Sequence, residues 1–103
     1  MKRLISKAIV VEGAAVAEDA LGRLEPAAPT AFTFDGERYE VEATLRTWRS
    51  SKADRDDTYL KRHWFELRII GDATAVLYFD RGAKRGSPRW WIFSLDEAES
   101  TPQ

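Results

Sequence analysis

The chain has 103 residues, 44% hydrophobic and 32% charged, enough for one domain with one modest core. It has no cysteine, which excludes disulfides and thiolate metal centres, and a single histidine, which excludes a multi-histidine metal site. The high share of charged residues and the lack of any long apolar run argue against a transmembrane helix and the missing cysteines fit a reducing cytoplasm, so the expectation is one cytoplasmic domain over residues 1–103 with no membrane contact.

The opening MKRLISKAIVVEG starts basic, but Ser6 and Lys7 interrupt its apolar stretch and Glu12 ends it; it reads as a strand over 4–11 and not as a secretory leader. The next segment is alanine-rich. Val16, Ala17, Ala20, Leu21 and Leu24 fall near helical spacing, which gives a short helix over 14–24, weakened by Gly22. Pro26 and Pro29 then require an extended link. Asp35-Gly36, set between Ala31–Phe34 and Arg38–Trp48, is a two-residue hairpin turn, since type I′ needs positive φ at both central positions. In the second of these runs Tyr39, Val41, Ala43 and Leu45 alternate with Glu40, Glu42, Thr44 and Arg46, the pattern of a half-buried strand.

The polar stretch RSSKADRDD, 49–57, reads as a long loop. Strands follow at about 59–70, 74–80 and 89–95, separated by Gly71-Asp72 and by the loop RGAKRGSP. The last eight residues, DEAESTPQ (96–103), read as a flexible acidic tail. Because 74–80 is apolar on both sides, the sheet must be covered twice or closed. The sequence therefore predicts a mainly all-β fold, an antiparallel meander of five to six strands curled into a small SH3-like or related barrel, with one short amino-terminal helix as an addition.

Pairing 38–48 with 62–70 so that partners sum to 110 sets Val41 on Ile69, Ala43 on Leu67 and Leu45 on Phe65 inside. Outside, Glu42 then faces Arg68, Arg46 faces Trp64 and Trp48 faces Arg62. The result is a Trp/Arg ladder on one surface. Cation-π pairs of this kind strengthen a sheet by roughly 0.5–1 kcal/mol each, and they also make a binding face, because bases and interface hot spots both use aromatic and Arg side chains. With Trp91, Phe93 and Leu95 in phase, Trp91 is expected inside and Trp90 outside. His63 is expected to be structural. The loop bases Lys84 and Arg85 suit a backbone phosphate, but the glycine spacing there is not that of a nucleotide-binding loop. Asp54, Asp56 and Asp57 lack the glycine and distal glutamate of a calcium loop.

Residues 46–91 hold eleven Lys/Arg against six Asp/Glu, a balance of +5, whereas the remainder holds five against eleven, a balance of −6. A blocky chain of this kind can present one basic and one acidic surface. No nucleophile–base or acid–base pair is visible, so no catalytic residue, metal ligand or cofactor is expected. The expected protein is a non-catalytic binding module using Arg46, Trp48, Arg62, Trp64, Arg68, Lys84 and Arg85. Its partner is single-stranded nucleic acid or a DNA-processing protein; the alternative is a protein-interaction or self-association module, as monomer or weak homodimer. Clearly positive potential around Trp48 and Trp64 marks the first reading, and a neutral apolar patch the second.

The runs FTFDGERYEVEATLRTW, HWFELRIIGD and AVLYFDRGAKRGSPRWWIFSLDE, with the opening LISKAIVVEG, together resemble a family of short uncharacterised bacterial proteins. The shared pattern is aromatic-x-aromatic, a Gly turn, Tyr-x-Val, Leu-x-x-Trp, a polar spacer, a central strand and a final Trp-bearing strand. The resemblance implies no activity. Some members of that family are encoded near translesion DNA polymerases in actinobacteria, which inclines the expectation towards nucleic acid.

Overall fold

The computed structural model describes residues 2–18, 24–49, 62–81 and 86–97. They form nine strands and, among the described residues, no helix: β1 Lys2–Ala8, β2 Val10–Glu12, β3 Val16–Glu18, β4 Leu24–Pro26, β5 Ala31–Phe34, β6 Glu37–Arg49, β7 Arg62–Ile69, β8 Ala73–Asp80 and β9 Trp90–Glu97. Seven lie in one antiparallel sheet in the order β1-β9-β8-β7-β6-β5-β2, and β3 pairs with β4 as a separate hairpin.

The two ends of that sheet belong to one piece of chain. Between β1, which pairs with β9, and β2, which pairs with β5, there is only Ile9, whose N–H donates to the Trp90 carbonyl at 3.0 Å. The sheet is therefore curled on itself as a small barrel. β6 is long enough to serve both halves: Glu37–Glu40 pair with β5, and Val41–Arg49 pair with β7. The strand count exceeds five or six because the first strand is split at Ile9 and the alanine-rich segment adds a pair.

That segment is where the expected helix is overturned. Val16 pairs with Pro26 and Glu18 with Leu24, and the Ala27 N–H donates to the Ala15 carbonyl at 2.8 Å, so backbone groups that a helix would bond internally are spent across a hairpin. Residues 19–23, in the second half of that expected helix, lie outside the described residues. The Asp35-Gly36 turn is as expected, with φ of 52° and 78° and Phe34 paired to Glu37. Asp96 and Glu97, expected in the tail, are in β9, Asp96 opposite Lys2 and Glu97 within 2.8 Å of the Arg3 guanidinium, and residues 98–103 lie outside the described residues.

Phe32 and Phe34 from β5 fill the interior against Phe65, Leu67, Ile69, Leu77, Phe79, Ile92 and Leu95. Trp90 is also inside and Trp91 is half-buried, the reverse of the expected order. The cause is a bulge: Val76 pairs with Ser94 but Leu77 with Ile92, so Phe93 is the extra residue and the phase of β9 changes there. Trp90 and Ile92 point inward before the bulge, and Leu95 after it.

Candidate functional site

β6 carries two bulges, between Val41 and Ala43 and between Thr44 and Arg46, so its partners sum to 110 only at Val41–Ile69 and to 112 from Arg46 onward. Trp48 consequently faces Trp64, not Arg62, and Arg46 faces Glu66, not Trp64. The row continues, Trp64 opposite Tyr78 and Tyr78 opposite Trp91, so four aromatic side chains cross four adjacent strands on the outer face. Trp48 and Trp64 are parallel within 3° at 5.9 Å, and Tyr78 and Trp91 within 7° at 6.2 Å. Phe93, turned outward by its bulge, meets Trp64 edge-on at 5.3 Å. Each such pair is worth about 0.5–1.5 kcal/mol beyond buried area. The rings cover one another, leaving Trp64 and Tyr78 each 7% exposed.

The cations sit on this row. The Arg46 guanidinium lies 4.3 Å from the centre of the Trp48 ring and 3.5 Å from a Glu66 carboxylate oxygen. Arg62 lies 4.4 Å from the Tyr78 ring and 5.9 Å from Trp64. Burial raises the Tyr78 phenol above its usual range, and Arg62 acts against that. Below the row, Trp48, Trp64 and Phe93 wall an open groove of about 330 Å³ whose floor includes Val76 and Ser94, with Arg46, Glu66 and Lys2 at its rim.

Of the seven residues expected at the site, Arg46, Trp48 and Trp64 meet at the groove, and Arg62 joins the row beside it. Arg68 is further down β7, 3.9 Å from Glu42 as the cross-strand reading anticipated. Lys84 and Arg85 lie outside the described residues. Tyr78, Trp91 and Phe93 were missed; extending the ladder across 74–80 and 89–95 would have reached the first two, but Phe93 faces out only because of its bulge. Over the part of the outer face made by β1, β9, β8, β7 and the half of β6 that pairs with β7, charges balance among the described residues: Lys2, Arg46, Arg62 and Arg68 against Glu42, Glu66, Asp80 and Asp96.

On the inner face the next row runs Arg49, His63, Phe79, Trp90. His63 is 9% exposed and stacks on Phe65 at 4.7 Å. Its Nε2 is 2.8 Å from the Thr47 hydroxyl, which donates its one proton to the Trp64 carbonyl at 2.9 Å. The hydroxyl must therefore accept from Nε2–H, and Nδ1 of the neutral ring is an acceptor. That Nδ1 is buried and has no hydrogen-bond partner among the described residues, an arrangement that costs roughly 1–3 kcal/mol. Burial, then the charges of Arg49 and Arg81, hold the imidazole below its usual pKa.

Unfolding therefore takes up a proton at His63 once the pH falls below the unfolded value of about 6.5, and the stability this residue contributes, whole above that value, drains away as pH drops through the folded one. The expected result is a loss of denaturant-measured stability from pH 7 to pH 5 that is shallower in His63→Gln. One proton accounts for at most about 1.4 kcal/mol per pH unit. Parallel curves for the two proteins would show that His63 does not titrate differently on folding.

A family model described as a domain of unknown function (DUF6504) matches residues 1–97, and the chain belongs to that family. No curated protein and no solved structure matches it.

Proposed function

We propose that this member of a family without an assigned activity is a non-catalytic binding module that holds a polypeptide segment against the outer face of its barrel. The observation that carries the reading is the charge balance of a face whose centre is aromatic: among the described residues of β1, β7, β8, β9 and the half of β6 that pairs with β7, four cations and four acids share the face of Trp48, Trp64, Tyr78, Trp91 and Phe93, so net charge there does not select a polyanion. Trp, Tyr and Arg in a partly desolvated groove are the residue types that dominate protein interfaces. A groove of about 330 Å³ takes one or two anchoring side chains.

A second reading keeps single-stranded nucleic acid as the ligand. The guanidinium groups of Arg46 and Arg62, stacked on rings, favour it, as does the resemblance to proteins encoded near translesion polymerases. Against it, stacking within the row takes up ring faces that bases would need. A photo-crosslinking residue in place of Val76, on the groove floor, separates the two. Crosslinked polypeptide that survives nuclease treatment and is lost in Trp48→Ala is the expected outcome. Adducts that nuclease removes, together with tryptophan quenching by a single-stranded oligonucleotide that weakens steeply with salt, would transfer the site to nucleic acid.

A further inference from the structure

The groove on the outer face runs across the strands and not along them. Its lining passes from Trp48 on β6 through Trp64, Val76 and Phe93 to Lys2 on β1. Cross-strand pairing sets one row of this surface, with Glu66 opposite Val76, Val76 opposite Ser94 and Ser94 opposite Leu4. Leu4 shares the face of Lys2, two residues further along β1, and is 73% exposed. An apolar step therefore continues past the groove floor onto β1.

The two ends of the groove differ in charge. At the β6 end the Arg46 guanidinium is 3.5 Å from a Glu66 carboxylate oxygen and 4.3 Å from the centre of the Trp48 ring, so cation and acid there answer each other. At the β1 end the Lys2 ammonium makes no ion pair among the described residues; Asp96, its cross-strand partner, is engaged in another interaction and does not line the groove. Of the lining charges Lys2, Arg46 and Glu66, one positive charge is thus left over, at Lys2. We propose that the polypeptide segment held here is apolar with one acidic residue: a large apolar side chain over Val76 between Trp64 and Phe93, apolar contact with Leu4, and a carboxylate on Lys2. This rests on the reading of the groove as a polypeptide site and gives the segment its chemistry. Neighbouring strands lie about 4.8 Å apart, so β8 to β1 spans about 10 Å, roughly three residues of extended chain. A basic segment would meet Lys2 and Arg46, and a polyanion would meet Glu66 at the far end.

Affinity selection on the full chain from a displayed library of short random peptides tests this. Enriched peptides that Trp48→Ala no longer retains should share a large apolar residue with Asp or Glu about three positions away. One such peptide is then titrated by fluorescence anisotropy. Lys2→Gln is expected to weaken it about threefold and Lys2→Glu about tenfold, since the second adds repulsion to the lost attraction. Changing the peptide's acid to Lys should weaken binding to the wild type and recover most of the loss in Lys2→Glu, a recovery that also shows this variant to be folded. Peptides lost with Trp48→Ala but enriched without an acid, or bound equally by Lys2→Glu, would overturn this inference and leave the groove as a polypeptide site. A library from which nothing is enriched would remove both.

Discussion

Phe32→Ala is expected to lower stability by about 3–5 kcal/mol, the range for a fully buried aromatic truncated in a core that collapses only partly. Phe32 has no exposed surface, sits on β5 facing the interior formed by β7, β8 and β9, and stacks on Tyr39 at 5.2 Å. No neighbouring element can move in to replace it, because β5 is held on one side by β2 and on the other by the start of β6. A domain of this size has roughly 5–15 kcal/mol in all, so the variant should melt about 12 °C lower or more, or fail to fold. Urea denaturation followed by tryptophan fluorescence measures it. A loss under about 1 kcal/mol would mean that β5 packs loosely on the barrel.

Trp64→Ala combines a stability loss with a binding loss, and Trp48→Ala should separate the two. Trp64 is the hub of the outer row, in contact with Trp48, Tyr78 and Phe93, and is 7% exposed although it faces outward. Its truncation is expected to cost about 3 kcal/mol and to abolish capture at the groove. Trp48, half-buried at the end of the row, should cost no more than about 1.5 kcal/mol, chiefly its one stacked pair and the Arg46 contact, with a comparable loss of capture. Denaturation midpoints and crosslink yields, measured on both variants, check this. Undiminished crosslinking in folded Trp48→Ala would remove the groove from the binding surface.

Local signals in the sequence were the reliable ones. Asp35-Gly36 has one low-energy turn available to it, and the alternation of Phe65, Leu67 and Ile69 with Glu66 and Arg68 leaves little choice of face. Register was legible at one point, Val41–Ile69, and lost beyond it, because each bulge in β6 adds a residue that no glycine announces. The same defect at Phe93 reversed Trp90 and Trp91. The composition of the site therefore survived, Trp and Arg on the outer face, while its pairings did not: Arg46 lies over its own strand neighbour Trp48. Among the described residues, the +5 block from 46 to 91 did not become a positive patch there. Glu42 and Asp96, from outside the block, are carried onto that face by β6 and β9, and Glu66 and Asp80, within it, alternate with the arginines. The opening strand was legible but its closing role was not, since the partner of Lys2 is Asp96 and the partner of Val10 is Thr33.

That closing strand has a consequence for how the protein is made. A ribosome releases residues 2–12 well before residues 90–97, yet β1 pairs with β9, and the pairing closes a loop of nearly the whole described chain. Closure over so long a span is entropically late, so the meander from β5 to β9 is expected to assemble ahead of it. Until then β1, with Leu4 and Ile5, and Ile9 beyond it trail as an extended strand without a partner, the kind of stretch that holding chaperones recognise.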